Sequence, residues 1–262
     1  MLTGKANIIK IEKIKANKFV YDLTTETGNY FANGILVHNC DILIEGGTAS
    51  KIVDISASKL IDQGFLVPPT VFLYDFKHSR KARKGEPYSV IYQEEVSENA
   101  DRNHLICNLA LKAVQQGKSV LVAVTLIDHG EILEKMLQKV YPDAVFICGK
   151  SDTKVRRQVL DDLRTKKRKL VIASTIFGEG LDVVSLDCII NCKAAASSVD
   201  AFQLLGRTLR LSPNKSQAYV IDIFDSGCKY LGAHAQERLR IYSTEPRYKL
   251  VPAKDISEVS FD

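Results

Sequence analysis

The sequence predicts an α/β protein, a doubly wound parallel sheet preceded by a small all-β segment. Three features point there. Short apolar runs, such as SVLVAVT at 119–125 and LVIA at 170–173, recur between turn residues. Runs of that length have no room for a helix and read as buried strands. Longer amphipathic stretches fill the gaps, and strand–helix alternation belongs to parallel sheets carrying helices on both faces. Residues 1–39 break this rhythm: they show short alternating strands with turn residues at Thr27-Gly28-Asn29 and Asn33-Gly34, and no helical period.

Bulk properties bound the rest. A chain of 262 residues, 45% hydrophobic and 26% charged, has room for one sizeable domain and a small one. It contains no apolar run of roughly 18 residues and no basic-then-apolar leader, so a cytoplasmic protein without a membrane partner is expected. A net charge of +5 is compatible with a polyanionic partner without pointing to one. Six cysteines in a chain this long do not form a disulfide framework pattern. Cys107, Cys148, Cys188, Cys192 and Cys228 lie in apolar contexts and read as small buried hydrophobes. Cys188 and Cys192 project to one side of a strand but stand too far apart along it to clip a metal, and no metal site is expected.

Ser56 suits the N-cap of a short helix ended by Gly64. Pro68-Pro69 lead into a strand at 70–76. The run HSRKARK at 78–84 reads as a solvated basic linker, with a strand-contacting loop as the alternative. Asn99 or Asp101 starts a helix with Leu105, Leu109, Leu111 and Val114 that ends at Gly117. The alternation continues with strands at 119–125, 145–148, 170–173, 188–192 and 218–224, and helices at 128–141, 152–163 and 228–241. Residues from Thr244 onward read as a polar, loosely packed tail. The boundaries expected are 1–39 for the all-β segment, 40–69 for a linker, 70–245 for the α/β domain and 246–262 for the tail. Function belongs on loops leaving the carboxyl ends of the strands.

The stretch 169–211 concentrates the chemistry. Gly178 and Gly180 follow the 170–173 strand, and a helix starting near Ser197 or Ser198 carries Gln203, Gly206, Arg207 and Arg210. Gln203, Arg207 and Arg210 are spaced four and three apart, so they share one helix face. An amide and two guanidiniums together form a fork suited to phosphate oxygens. Two other phosphate-like triplets, Gly117-Lys118-Ser119 and Gly149-Lys150-Ser151, lack the upstream glycine of a P-loop, having Lys112 and Ala144 there instead. The second follows a strand, which leaves it a weak anion contact at a helix N-terminus.

STIFGEGLDV and QLLGRTLR resemble motifs V and VI of the second RecA-like motor domain of superfamily 2 helicases of the DEAD/DEAH type. The resemblance implies a RecA-like sheet and an ATP-dependent helicase or translocase. Arg207 and Arg210 would then be arginine fingers on the γ-phosphate, with Gln203 orienting the phosphate or the attacking water. Gly178 and Gly180 would admit the ligand to the backbone, and Asp182 would contact the ribose. ATP with Mg2+ would be held mainly by a first motor domain, so this part alone is not expected to hydrolyse ATP. Thr125, in the place of motif IV, and Thr175, in motif V, would touch a nucleic-acid backbone, DNA being favoured, with Arg156 adding a phosphate contact. The alternative is a catalytically idle nucleic-acid-binding or regulatory domain on the same fold.

At the other end, Val37-His38-Asn39-Cys40 combines three reactive side chains. An asparagine amide can close on its own carbonyl, forming a succinimide and breaking the Asn39–Cys40 bond. A neighbouring histidine can shuttle the proton, and a thiolate can accept an acyl group. Residues 19–40 resemble the C-terminal part of an intein, the motif written VYDL…NGILVHN. The resemblance implies cyclisation at Asn39 assisted by His38, Asp22 in the upstream catalytic motif, and Cys40 as first extein residue and branch-point nucleophile. It departs at Gly28 and Asn29, where the family often carries a histidine. With no N-terminal intein block in the sequence, the chain is expected to be either a naturally split precursor, the favoured reading, or a piece cut at that point, its partner being an N-terminal half bearing the rest of the intein and the first motor domain.

Overall fold

The computed structural model describes residues 29–32, 35–38, 56–79, 85–174, 186–195, 209–211 and 215–261. The chain divides into two compact units, Met1–Asp54 and Ile55–Asp262.

In the first unit, β1 (Asn29–Ala32) and β2 (Ile35–His38) form an antiparallel hairpin. Ala32 pairs with Ile35 and Asn29 with His38.

The second unit is built on a seven-stranded sheet in the order β5-β6-β4-β7-β8-β3-β9, every neighbouring pair parallel. The strands are β3 (Pro69–Lys77), β4 (Val120–Ala123), β5 (Val145–Ile147), β6 (Leu170–Ala173), β7 (Cys188–Asn191), β8 (Ala218–Ser226) and β9 (Lys249–Ala253). Between them run α1 (Ala57–Asp62), α2 (Tyr88–Tyr92) continuing into a π-turn at Gln93–Ser97, α3 (Ala100–Gln115), α4 (Ile127–Gln138), α5 (Thr153–Arg164) and α6 (Lys229–Tyr242).

Alternation along each strand divides the core into two layers. Val120, Val122 and Val124 pack with Leu105, Ile106 and Leu109 of α3 and Leu133 and Leu137 of α4. Leu121 and Ala123 face Val159, Leu160 and Leu163 of α5 on the other side. On that second set of faces, Val71, Leu73 and Val220 meet Tyr242 of α6, with Ile61 of α1 packed against them. Side chains at both strand parities are buried, which is why these strands read as continuous apolar runs.

The helix ends follow their capping residues. Ser56 accepts from the Lys59 amide at 3.2 Å, Asn99 from that of Arg102 at 3.0 Å, and Asp152 from those of Lys154 and Val155 at 2.8 and 3.2 Å. Gly117 closes α3 with φ +79, the left-handed stop expected of a glycine. The five expected cysteines are buried.

Two expectations are corrected. The stretch beyond Thr244 is not a loose tail: β9 pairs along β3 at the sheet edge, and Val259 and Phe261 are buried. Phe261 sits edge-on against Tyr219 at 5.2 Å and Phe72 at 6.4 Å. The polar residues around it concealed two apolar anchors. His78 does not belong to a solvated linker, because it is buried between two carboxylates; residues 80–84 lie outside the described residues.

Candidate functional site

In the sheet order, β5, β6 and β4 are neighbours, so the loops leaving their carboxyl ends converge. An open cleft of about 450 Å³ lies over them, lined in part by Gln93, Thr125, Asp128, Gly149, Lys150 and Ser174. Thr125 is exposed just past β4, and Leu126 caps α4 with no side-chain hydrogen bond, which leaves first-turn amides of α4 to other acceptors. Lys150 is exposed in the turn after β5. That turn is fixed by Ser151, whose amide donates to the Cys148 carbonyl at 3.0 Å and whose hydroxyl accepts from the Cys148 amide at 3.0 Å. Ser174, 3% exposed, follows β6 and donates its amide to the Ile147 carbonyl at 3.2 Å. Hydroxyls, an ammonium and helix-start amides on one concave surface form a set that fits phosphate oxygens.

Behind the cleft stands a buried ionic network. Asp225, wholly buried in β8, accepts from Arg102 Nε at 2.7 Å and Nη2 at 3.1 Å, and lies 3.0 Å from His78 Nε2. His78 Nδ1 is 2.7 Å from Glu95 Oε2. Burial alone would raise the Asp225 carboxyl, but the Arg102 charge and the hydrogen bonds from His78 and Arg102 outweigh it and hold the pKa at about 2. His129 Nε2 lies 2.9 Å from Asn103 Oδ1, and Asn103 donates to the Ser97 carbonyl at 2.8 Å. Burial, helped by the nearby Arg102 charge, keeps His129 neutral, with its pKa pulled down to about 3.

A second network joins β8 to α6. Arg238 donates to Asp222 from Nε at 3.0 Å and Nη2 at 2.8 Å, while Tyr242 and Asn191 donate to Asp222 Oδ2 at 2.7 and 2.9 Å. Nothing in the local sequence marks these partners, which come from distant segments. The faint signal was a pair of charged residues inside one apolar run, Asp222 and Asp225 in AYVIDIFDS.

The sequence-derived site residues divide cleanly. Thr125 lies in the cleft beside Gly149 and Lys150, the triplet read as a weak anion contact. The other triplet is structural: Lys118 lies 5.0 Å from the Tyr219 ring centre, and Ser119 is hydrogen-bonded to Asp187. Arg156 is half-buried on α5, with Nη2 3.4 Å from Thr153 Oγ1. Arg210 is half-buried, and its backbone bridges Leu66 in antiparallel fashion while the Val67 amide donates to the Leu209 carbonyl at 2.9 Å. His38 ends β2 opposite Asn29. Asp22, Asn39, Cys40, Thr175, Gly178, Gly180, Asp182, Gln203 and Arg207 lie outside the described residues.

Residues 101–212 match the family model for the helicase conserved C-terminal domain. The ATP-dependent DNA helicase uvsW of Enterobacteria phage T4 is 26% identical over 214 residues, covering 73% of this chain and 42% of that protein. The transcript termination protein A18 of Myxoma virus is 32% identical over 133 residues, covering 49% of this chain and 28% of that one. The chain thus spans less than half the length of these curated relatives. In three dimensions it is similar to T4 UvsW, with a TM-score of 0.57 at 20% identity over 71% of this chain and 41% of that one. It is also similar to S. cerevisiae Dbp5 bound to RNA and ADP BeF3, with a TM-score of 0.55 at 13% identity over 83% and 49%. Residues 101–212 are thus similar to a helicase conserved C-terminal domain, and the parallel α/β sheet has the fold shared with T4 UvsW and Dbp5.

Proposed function

We propose that the chain supplies the second motor domain of an ATP-dependent nucleic-acid helicase or translocase. The helicase C-terminal match over 101–212 carries this proposal, and the polar cleft at the carboxyl edge supports it. A nucleic-acid backbone lies across Thr125, Lys150 and Ser174, with Thr175 and Arg156 as further contacts. DNA is favoured, because the T4 relative is named a DNA helicase. Among the described residues no group of three His, Cys, Asp or Glu side chains is placed to hold a metal. As the resemblance to a second motor domain implies, Mg2+ and most ATP contacts fall to a first motor domain. Arg207 and Arg210 reach across to the γ-phosphate and neutralise charge developing in phosphoryl transfer, Gln203 orients the phosphate or water, and Gly178, Gly180 and Asp182 complete the nucleotide contacts.

The decisive experiment measures nucleic-acid-stimulated ATPase in the full protein carrying both motor domains. Arg207→Ala or Arg210→Ala should lower kcat by about 10³-fold or more. Undiminished turnover in both variants would establish the alternative, a catalytically idle binding or regulatory domain.

The leading segment is proposed as the C-terminal part of an intein, supported by its VHN-Cys order and by the tight β1–β2 hairpin that ends at His38. Asn39 cyclises, His38 moves the proton, Asp22 assists upstream, and Cys40 receives the acyl chain from an N-terminal partner half. When that half is mixed with the chain, a ligated product should form, and Asn39→Ala should abolish C-terminal cleavage.

A further inference from the structure

Gln93 opens the π-turn at Gln93–Ser97 and lines the cleft with Thr125, Asp128 and Lys150. Single π-turns recur at functional sites, and this one is held firmly from behind. Glu95 is buried, with Oε2 2.7 Å from His78 Nδ1 just past β3. The Ser97 carbonyl accepts from Asn103 Nδ2 of α3 at 2.8 Å, and the Glu98 amide donates to the Gln93 carbonyl at 2.9 Å. The Gln93 side chain is fixed as well: Nε2 donates to Glu98 Oε1 at 2.6 Å. A carboxylate only accepts, so the amide nitrogen must face Glu98, and the amide oxygen is the atom left over. Among the described residues, that oxygen has no partner. A polar group held in place before its ligand arrives loses little freedom on binding.

The cleft therefore combines two chemistries. Thr125, Lys150 and Ser174 offer protons, which suit the phosphates of a strand. Gln93 Oε1 and the exposed Asp128 carboxylate offer lone pairs, and an ionised phosphate has no proton to give them. The matching donors on a nucleic-acid strand are the exocyclic amino groups of its bases. Amide oxygens and carboxylates are the side-chain groups that accept from them. Cytosine carries an amino group where thymine carries a carbonyl oxygen, which an acceptor such as Gln93 Oε1 repels.

We propose that Gln93 is a specificity residue, accepting a hydrogen bond from the amino group of a base on a strand whose phosphates lie against Thr125 and Lys150. Glu98 is its positioning residue. This rests on the function proposed above and gives that cleft a preference among strands. The test measures binding of single-stranded oligo(dC) and oligo(dT), equal in length and charge, to the two-domain protein proposed above. Gln93→Met keeps the length of the side chain and removes the amide. The preference for oligo(dC) over oligo(dT) should be about fivefold greater in the wild type than in this variant, as for one hydrogen bond. The salt-dependence slope should stay unchanged, because no phosphate contact is lost. Glu98→Gln frees the amide to turn and should shrink the same preference without weakening oligo(dT). Equal weakening of both strands in Gln93→Met, or a preference that does not change, overturns base recognition and leaves the helicase function standing. A loss confined to ribonucleotide strands and equal for all bases would put the amide on the 2′-hydroxyl and also overturn it. A wild-type protein that binds neither strand removes the proposed function, and this specificity with it.

Discussion

Asp225 and His129 face opposite consequences of the same burial. The folded pKa of Asp225 lies at about 2, below its ordinary 3.8, so its ionised form stabilises the fold above about pH 4 and that contribution disappears as pH falls through 2. It amounts to about 2 kcal/mol. His129 is held neutral, its pKa about 3 against an ordinary 6.5, so between those values the unfolded chain binds a proton that the folded one refuses. Stability should therefore begin to fall below pH 6.5, approaching about 1.4 kcal/mol per pH unit from this group. Urea unfolding at pH 7.0, 6.0 and 5.0 should show that slope, with His129→Gln flattening it; equal slopes in the two proteins would refute the assignment. Asp225→Ala strands Arg102 in the interior and should cost about 3–5 kcal/mol at neutral pH, read from the same urea curves. Lys150, exposed in the cleft, offers a functional counterpart. In the two-domain protein proposed above, Lys150→Ala should weaken strand binding similarly for all sequences and reduce the salt-dependence slope by about one. A loss confined to particular base sequences would contradict a backbone contact.

At the scale of elements, the edge strand β9 and the turn after β8 decide how the sheet closes. Pro252 is tolerated in β9 because an edge strand leaves one side of its backbone unpaired. Phe261 then folds back onto Phe72 and Tyr219. Phe261→Ala should cost about 3 kcal/mol or more, as for other buried aromatic truncations. A shift in the urea midpoint of a few tenths molar or less would mean the C-terminal residues only rest on the sheet. Gly227 has φ +83, and a Cβ there would meet the His78 carbonyl oxygen at 2.5 Å. Both the backbone conformation and the contact oppose a side chain. Gly227→Ala should therefore destabilise by more than the roughly 1 kcal/mol typical of a strained turn alone, and it should displace His78 from Asp225.

For the whole molecule, the governing feature is that chemistry gathers at one edge of a parallel sheet. β5, β6 and β4 bring their carboxyl ends together, and the cleft forms where those ends open. On the function proposed above, such an edge would be half of a site. The domain should bind a strand weakly and hydrolyse ATP only when joined to a first motor domain. ATPase assays of the isolated 40–262 segment and of the proposed two-domain protein compare these states directly, and robust turnover by the segment alone would contradict the division of labour.

Local chemistry made much of this legible in advance. Ser56, Asn99 and Asp152 announced their helices because a side-chain oxygen at a cap acts over two or three residues. The strand at Leu170–Ala173 stood out because burial on both faces leaves an uninterrupted apolar run. Thr125 was legible as a strand-end hydroxyl. The neighbours that give it meaning were not: Lys150 and Ser174 reach it only through the β5-β6-β4 order, which no single segment encodes. The helix and π-turn from Tyr88 to Ser97 were missed, and β9 was hidden among polar residues. His78, Glu95, Arg102 and Asp225 form one buried network from four separate segments. The sequence by itself determined the alternation, the caps and the apolar layers, because those depend on neighbours along the chain. Tertiary structure alone decided which charges are buried together and which loops share a cleft, because those energies depend on contacts between residues distant in sequence.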